Sequence, residues 1–196
     1  MRERKQVRLR DYDYSQSGGY FITVCTYNRE HLFGQVINYQ MTLNKIGKIV
    51  KQWWLKLEDR FTSVKLENHV VMPNHIHGII MVGEKENEVG AIHELPLRSG
   101  MMPRRQMLIP KVVGYFKMNS AKHVNRLRDA IGISLWQRNY YEHIVRNESE
   151  LSRIREYIQN NPLKWDLDRE NPLSKNFNLE HDDYWKEIYD SGRGNS

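Results

Sequence analysis

Residues 64–82, VKLENHVVMPNHIHGIIMV, indicate two strands joined by a tight turn. The strand candidates are residues 64–72 and 75–82, and the Pro73-Asn74 pair between them suits a tight turn. The sequence therefore predicts a β-hairpin, around which the other elements of the fold can be arranged.

A strand and a helix are predicted before this hairpin. Residues 20–26, YFITVCT, are aromatic and β-branched and follow turn-forming residues, which favours a strand. Residues 42–57 carry apolar side chains at the three-to-four spacing of a helix that buries one face. Thr42 or Asn44 is in position to cap that helix.

A helix, a strand and a final helix are predicted after the hairpin. Pro110 suits the first turn of an amphipathic helix, and residues 140–145 form a further strand candidate. Asn147 and Glu150 have the spacing of a capping box, which opens a helix that Pro162 must end.

The order strand, helix, hairpin, helix and strand predicts an α+β fold of the ferredoxin-like, split βαβ type. Its antiparallel four-stranded sheet carries helices on one face, and the C-terminal, tyrosine-bearing helix is an addition to it. We expect one domain over residues 1–196, with a core over about 8–165, an inserted loop over about 83–108 and an irregular tail over about 166–196.

Composition and charge narrow the classes of function. Hydrophobic residues make up 39% of the chain and charged residues 28%, which is ordinary for a globular protein. The net charge is +6, and the basic residues are grouped at residues 2–10, 98–111 and 117–128. Such grouping suits either a polyanionic partner such as nucleic acid or a solvated basic surface.

The sequence also excludes some classes of protein and of metal site. Its longest apolar run, residues 79–82, is far shorter than the roughly 20 residues that span a bilayer, and no signal core follows the N-terminus. We therefore expect a cytoplasmic protein with no membrane partner. The single cysteine, Cys25, excludes internal disulfides and a zinc site built from several thiolates of one chain.

His75 and His77 are candidate metal ligands. Residues two apart on a strand project from the same face, so both imidazoles can reach one ion while Ile76 points the other way. Two ligands leave room for substrate oxygens and water, which suits a divalent ion that polarises a phosphate. Imidazole also binds zinc, manganese and nickel, so these ligands do not select the metal. The alternative is a pair of half-buried histidines that hydrogen-bond to neighbouring groups.

Tyr157 and Asn161 are candidate partners of these histidines. They lie four residues apart beside the apolar stripe of the last helix, so they share a face that can reach the sheet. The amide oxygen of Asn161 suits a third ligand for a hard cation, and the phenol of Tyr157 is a candidate nucleophile. The alternative for Tyr157 is simple packing. Tyr140 and Tyr141 are weaker candidates, because one of the two must face the core from a predicted strand.

Several stretches together carry a family resemblance. NHVVMPNHIHGIIMV is similar to the His-hydrophobic-His signature of single-tyrosine HUH transposases, and REYIQNNP resembles their tyrosine-bearing helix. RLRDYDYSQSGGYFITVCTYNREHLFG, IPKVVGYFKMNSAKHVN and LWQRNYYEHIVRNESEL resemble the subgroup of REP-associated tyrosine transposases. The resemblance runs from about Arg8 to Trp165, with its motifs in the expected order.

The resemblance implies a metal-dependent enzyme that cleaves and joins single-stranded DNA, often beside hairpins of repeated palindromes. Residue by residue, it implies that His75 and His77 bind a divalent metal, Mg²⁺ or Mn²⁺, and that Tyr157 forms a 5′-phosphotyrosine. Relatives that move insertion sequences usually carry glutamine where this chain has the shorter Asn161 as third ligand. Some relatives are dimers that exchange tyrosine helices, so we expect a monomer or a homodimer.

Basic and aromatic residues elsewhere are candidates for contacts to single-stranded or hairpin DNA. Cations would hold phosphates, and aromatic rings would stack on unpaired bases. For each residue, a solvated charge or a packed ring is an equal alternative. For His143 the first expectation is a sheet histidine whose partners are structural. The candidates are Arg8, Arg10, Arg104, Arg105, Lys111, Lys117, Lys122, Arg126, Trp136, Tyr140 and His143.

Two other functions fit parts of the sequence. A binding protein of the same fold that has lost catalysis would grip hairpin DNA or RNA, although both histidines and a helix tyrosine persist here. A zinc-dependent hydrolase that uses activated water is disfavoured, because the sequence places no acidic ligand or base near His75 and His77.

Overall fold

A computed structural model describes residues 13–83 and 107–174 of the chain. Arg8, Arg10, Arg104 and Arg105 lie outside these ranges, as do most of the predicted inserted loop and the end of the predicted tail. The described elements are β1 Gly18–Cys25, β2 Gly34–Ile37, β3 Gln40–Leu43, α1 Lys45–Arg60, β4 Val64–Val71, β5 His75–Val82, α2 Leu108–Leu127, β6 Tyr141–Val145 and α3 Glu148–Asn160, with 3-10 helices at Tyr27–Arg29 and Pro162–Leu167.

Four strands form one antiparallel sheet in the order β4-β5-β1-β6. The helices α1 and α2 pack against each other on one face of this sheet, and α3 covers the other face. The predicted ferredoxin-like α+β fold, with an added C-terminal helix, is confirmed. The single-domain organisation and the bounds of its core stay predictions.

The main core lies between the sheet and the pair α1 and α2. Alternate residues of β1 and β5, among them Ile22 and Ile76, are fully buried on this face. Trp54 of α1 meets Phe116 of α2 edge to face, with ring centroids 5.3 Å apart. Gly78 allows this packing, because a Cβ at that position would overlap the indole ring of Trp54.

The helix α3 is fixed to the opposite face by apolar packing and one ion pair. Ile154 and Ile158 are buried against Phe21 of β1 and its neighbours. Arg155 binds both carboxylate oxygens of Glu67 on β4, at 2.8 and 3.0 Å. These contacts hold the C-terminal end of α3 near β5, the strand that carries His75 and His77.

Side-chain caps determine where two helices begin. Asn44 caps α1 by accepting the backbone N–H three residues on, at 2.9 Å, so the helix begins later than predicted and Thr42 lies in β3 instead. Asn147 accepts the N–H of Glu150 at 2.8 Å, as the predicted capping box requires. The return bond differs, because the carboxylate of Glu150 accepts the N–H of Arg146 rather than that of the cap residue.

Two features differ from the elements predicted from the sequence. The β2 and β3 strands form a separate two-stranded hairpin, whose turn holds Asn38 and Tyr39 in the left-handed region at φ 49° and 62°. Leu108, at the end of the predicted loop, is the first residue of α2, and Pro110 lies in the first turn of that helix, as predicted. No helix within residues 13–83 and 107–174 is long and apolar enough to cross a membrane.

Candidate metal and tyrosine site

The turn before β5 places two imidazoles under α3. His75 and His77 are 0% and 2% exposed, with ring centroids 4.3 Å apart. Nδ1 of His75 donates to the side-chain oxygen of Asn74 at 2.8 Å, and Nδ1 of His77 lies 2.7 Å from the hydroxyl of Thr23 on β1. Because each Nδ1 has a partner, each Nε2 is directed into the site, an arrangement typical of histidines that bind metals.

Both imidazoles are held in the neutral form. Burial lowers the pKa of His75, against the opposing effects of Asp168 and Glu170. Burial, and then the proximity of His75 and Arg169, lowers the pKa of His77 well below its usual value. A neutral imidazole keeps a lone pair with which it can bind a cation.

Tyr157 of α3 reaches the same histidines. Its hydroxyl lies 3.0 Å from Nε2 of His77, and its ring packs edge-on against Phe21 at 6.0 Å. Phe21 in turn stacks on His77 at 5.3 Å. The side chains of Tyr140 and Tyr141 line a cavity beside β6.

Asn161 and Asp168 complete the cluster from the end of α3. Asn161 is the C-cap residue that directly follows α3, and its amide nitrogen donates to Oδ2 of Asp168 at 2.8 Å. The 3-10 helix Pro162–Leu167 turns the chain back, so that Oδ2 of Asp168 lies 4.0 Å from Nε2 of His75. Oδ1 of Asp168 accepts the N–H of Glu170 at 2.6 Å.

The donor atoms of this cluster fit a divalent cation. Nε2 of His75 and the amide oxygen of Asn161 are buried and have no hydrogen-bond partner within the described residues. One ligand atom from each of His75, His77 and Asp168 lies within 4.8 Å of the others. The ligand atoms of one ion with bonds of about 2.1 Å lie about 3–4 Å apart, so small inward shifts suffice. Two imidazoles, a carboxylate and an amide oxygen are a usual donor set for such ions.

The expectation that no acidic group lies near the histidines is wrong in three dimensions. Asp168 follows Asn161 by seven residues, in a segment that shows no periodicity in the sequence. Its return to the site depends on the 3-10 helix and on the bond to Asn161, neither of which a residue spacing indicates. The lack of a nearby acidic group is therefore no longer an argument against a hydrolase that uses activated water.

Glu170 ties the segment after α3 to the hairpin turn. Its carboxylate binds Arg29 at 2.8 Å and Arg169 at 3.0 Å, and its backbone oxygen accepts the amide of Asn74 at 2.7 Å. Burial by itself would raise the pKa of Glu170, but the two arginines lower it below its usual value. The carboxylate is therefore ionised and orders both guanidinium groups.

Two of the predicted DNA contacts lie in the interior. Trp136 is 6% exposed, and its indole nitrogen donates to the hydroxyl of Ser120 at 2.9 Å, so the ring is not presented to a base. His143 is also buried, with Nε2 2.8 Å from the carboxylate of Glu150. Burial lowers its pKa, while Glu150 acts in the opposite direction. This agrees with the structural alternative for His143.

The remaining described candidates lie along α2 and before β6. Lys117 donates to the backbone carbonyls of residues 137 and 138, at 2.7 and 3.0 Å. Lys111, Lys122 and Arg126 are exposed on α2, away from the histidines, and Tyr140 is half-buried. The structure therefore does not gather these side chains around the site, and their contacts to DNA stay predictions.

Comparison with known proteins gives two relatives in sequence. An uncharacterized protein of Haemophilus influenzae is 41% identical over 170 residues, which cover 85% of this chain and 92% of that protein. The two proteins belong to one family. A second protein of Haemophilus influenzae, named "Putative REP-associated tyrosine transposase", is 26% identical over 152 residues, covering 78% of this chain and 74% of that protein. No protein-family model matches the chain.

The fold is similar to that of a solved structure, a REP-associated tyrosine transposase bound to a REP hairpin, with a TM-score of 0.50. The match covers 81% of this chain and 73% of the other, at 20% sequence identity. At this identity the likeness shows a common fold.

Proposed function

We propose, because the chain is a relative of the REP-associated tyrosine transposases, that it is a transposase-type enzyme that cleaves and rejoins single-stranded DNA beside hairpins. The observation that carries the proposal is the 3.0 Å contact between the hydroxyl of Tyr157 and His77, in a cluster whose atoms fit a divalent cation. Tyr157 is the proposed nucleophile. The proposed metal-holding residues are His75, His77, Asn161 and Asp168, with Mg²⁺ or Mn²⁺ as the ion.

Cleavage would proceed by attack of the Tyr157 oxygen on a backbone phosphorus. The bond from phosphorus to the tyrosine oxygen forms as the bond to the 3′ oxygen breaks, and that oxygen takes up a proton and leaves as a 3′-hydroxyl. The phosphate stays on the tyrosine as a 5′-phosphotyrosine, so the step can be reversed onto another 3′-hydroxyl without ATP. A bound divalent ion would withdraw charge from the phosphate oxygens.

His77 has two uses that exclude each other. Its Nε2 accepts the hydrogen bond from Tyr157 when Nδ1–H donates to Thr23. The nitrogen has one lone pair, so the hydroxyl of Tyr157 must leave it before His77 can hold an ion. Release turns the phenol toward substrate and lets its proton pass to water. His75 and Asp168 are buried, so part of the surrounding chain must also shift before a phosphate reaches them.

A covalent-adduct assay tests this proposal. The protein is incubated with labelled oligonucleotide hairpins that carry single-stranded flanks, with Mn²⁺, Mg²⁺ or EDTA, and separated on a denaturing gel. We expect an adduct only with a divalent ion, and none from Tyr157→Phe. Tyr141→Phe, which removes a hydroxyl from the same face of the sheet, is the matched control and should keep the adduct.

Each other outcome of the assay would support a different function or a different nucleophile. An adduct from Tyr157→Phe would show that the nucleophile is wrong. Cleavage without any adduct in the wild type would favour a hydrolase that uses water, and binding without cleavage across a broad set of hairpins would favour the binding-only protein.

A further inference from the structure

Two adjoining cavities form a groove at the edge of the sheet beside β6. The outer cavity, of about 350 Å³, has Tyr27, Arg29 and Arg138 in its lining. The inner cavity, of about 180 Å³, has Thr23, Arg29 and Arg169 in its lining. Arg29 lines both, so the two cavities adjoin at this side chain. We call them together the edge groove.

The edge groove has an excess of positive charge. Arg29, Arg138 and Arg169 line it, and Glu170 is the acidic residue in the lining. Glu170 binds two of the arginines and thereby fixes their positions, but one carboxylate cannot neutralise three guanidinium groups. A fixed set of cations of this kind is complementary to the phosphates of a nucleic-acid backbone.

The backbone under the groove is held in an uncommon conformation. Asn28 and Arg29 are consecutive residues in the left-handed region, at φ 52° and 56°. Residues other than glycine rarely adopt it, and such conformations are concentrated at functional sites. The amide of Asn74 donates to the backbone oxygen of Arg29 at 3.1 Å, and Glu170 holds its guanidinium group. The position of Arg29 is thus determined from both ends.

The inner end of the groove adjoins the candidate site. Thr23 lines the groove, and its hydroxyl lies 2.7 Å from Nδ1 of His77. Arg169 lines it as well and directly follows Asp168. A strand that follows the groove inward would therefore bring its next phosphate toward His77 and Tyr157.

The outer end offers an aromatic ring. Tyr27 lines the outer cavity and is 50% exposed. Exposed rings beside arginines are the usual means of binding single strands, because every base has a face that can stack.

We propose that the edge groove binds the single-stranded part of the DNA substrate, with phosphates on Arg138 and Arg169 and a base stacked on Tyr27. This inference rests on the proposed function, since it takes DNA as the ligand. In this proposal the strand lies in the edge groove and not along the exposed basic side chains of α2, such as Arg126.

Binding of a fluorescein-labelled oligothymidylate, followed by anisotropy in EDTA at several salt concentrations, tests the groove without requiring cleavage. We expect Arg138→Ala to weaken binding about threefold to tenfold and to lower the salt slope by about 0.7, the value for one phosphate of a single strand. Tyr27→Ala should weaken it about tenfold. Lys48→Ala removes one positive charge from the exposed side of α1 and is the control, which should leave binding within about twofold. Arg126→Ala tests the alternative path along α2.

Unchanged binding by both Arg138→Ala and Tyr27→Ala would overturn the inference, as would a loss confined to Arg126→Ala.

Photo-cross-linking of the same oligonucleotide carrying iododeoxyuridine is a second readout that does not depend on variants. We expect the cross-link on Tyr27, and cross-links found only on α2 would overturn the inference. If wild type forms the covalent adduct while Arg138→Ala and Tyr27→Ala bind normally, the proposed function stands and the groove fails. If wild type forms no adduct but its binding is weakened by Arg138→Ala and Tyr27→Ala, the groove stands and the proposed function fails.

Discussion

The two faces of β1 and β5 differ although they belong to the same strands. On the face toward α1 and α2, the side chains of β1 and β5, such as Ile22 and Ile76, are buried and belong to the main core. On the face toward α3, the register pairs Thr23 with His77, and these buried side chains are polar. The alternation of a strand thus lets one face form the main core, while the other combines the smaller core around Phe21 with buried polar groups.

The largest effect should follow from removing a proposed metal ligand on the α3 face. We expect His75→Ala to lower adduct formation by at least about 10³-fold, because a metal contributes several kcal/mol to stabilising charge in such reactions. The measurement is adduct yield against time with Mn²⁺. The neighbouring Ile76→Val changes the other face, and should cost about 1 kcal/mol of unfolding free energy while adduct formation is kept. Equal loss of activity in both variants would contradict the division between faces.

The next effect concerns packing on the α1 and α2 face. Gly78→Ala would force a methyl group into the indole ring of Trp54, which is fully buried and cannot move aside freely. We expect the free energy of unfolding to fall by about 3 kcal/mol, at the upper end of overpacking costs. Urea denaturation followed by tryptophan fluorescence measures it, and a stability within about 0.5 kcal/mol of the wild type would show that this packing is wrong.

A smaller effect should follow from loosening one histidine without removing it. Thr23→Val keeps the shape of the side chain but removes the hydroxyl that lies 2.7 Å from His77. Loss of such an orienting partner lowers metal affinity about 10-fold to 100-fold, and we expect the lower figure for Mn²⁺ by calorimetric titration. Thr26→Val also removes a buried hydroxyl, which donates to the backbone oxygen of Glu30, and should leave Mn²⁺ affinity unchanged.

The smallest effect is a gain of stability at a glycine outside the sheet. Gly114 lies on the exposed side of α2, and a Cβ added there would have no heavy atom within 4 Å. Gly114→Ala should raise the free energy of unfolding by about 0.5–1 kcal/mol, because alanine restricts the unfolded chain and suits a helix. The same chemical change at Gly78 has the opposite sign, so urea midpoints of the two variants should move in opposite directions.

The parts of the site that lie on regular elements could be predicted from the sequence. His75 and His77 share a strand face because side chains alternate, and Tyr157 and Asn161 share a helix face because they are four residues apart. Both placements hold in the structure. What the residues do there is a separate matter, and the roles of ligand and nucleophile stay predictions.

The remaining parts depend on how irregular segments fold back. Asp168 has no periodic neighbour, and only the turn after α3 brings it to His75. The β2 and β3 strands have four residues each, too few for an alternation to stand out, and Tyr39 at their turn is not a typical turn residue. In the sequence, Trp136 cannot be told apart from an exposed aromatic residue beside basic residues, because its burial depends on the core that surrounds it in the fold.

Asn74 connects the edge groove with the cluster that contains His75 and Asp168. One side chain binds Nδ1 of His75 through its oxygen, and the backbone oxygens of Arg29 and Glu170 through its nitrogen. A displacement of Arg29 therefore changes the support of His75 directly. Such coupling is reciprocal: the factor by which a strand in the groove alters cation affinity equals the factor by which the cation alters affinity for the strand.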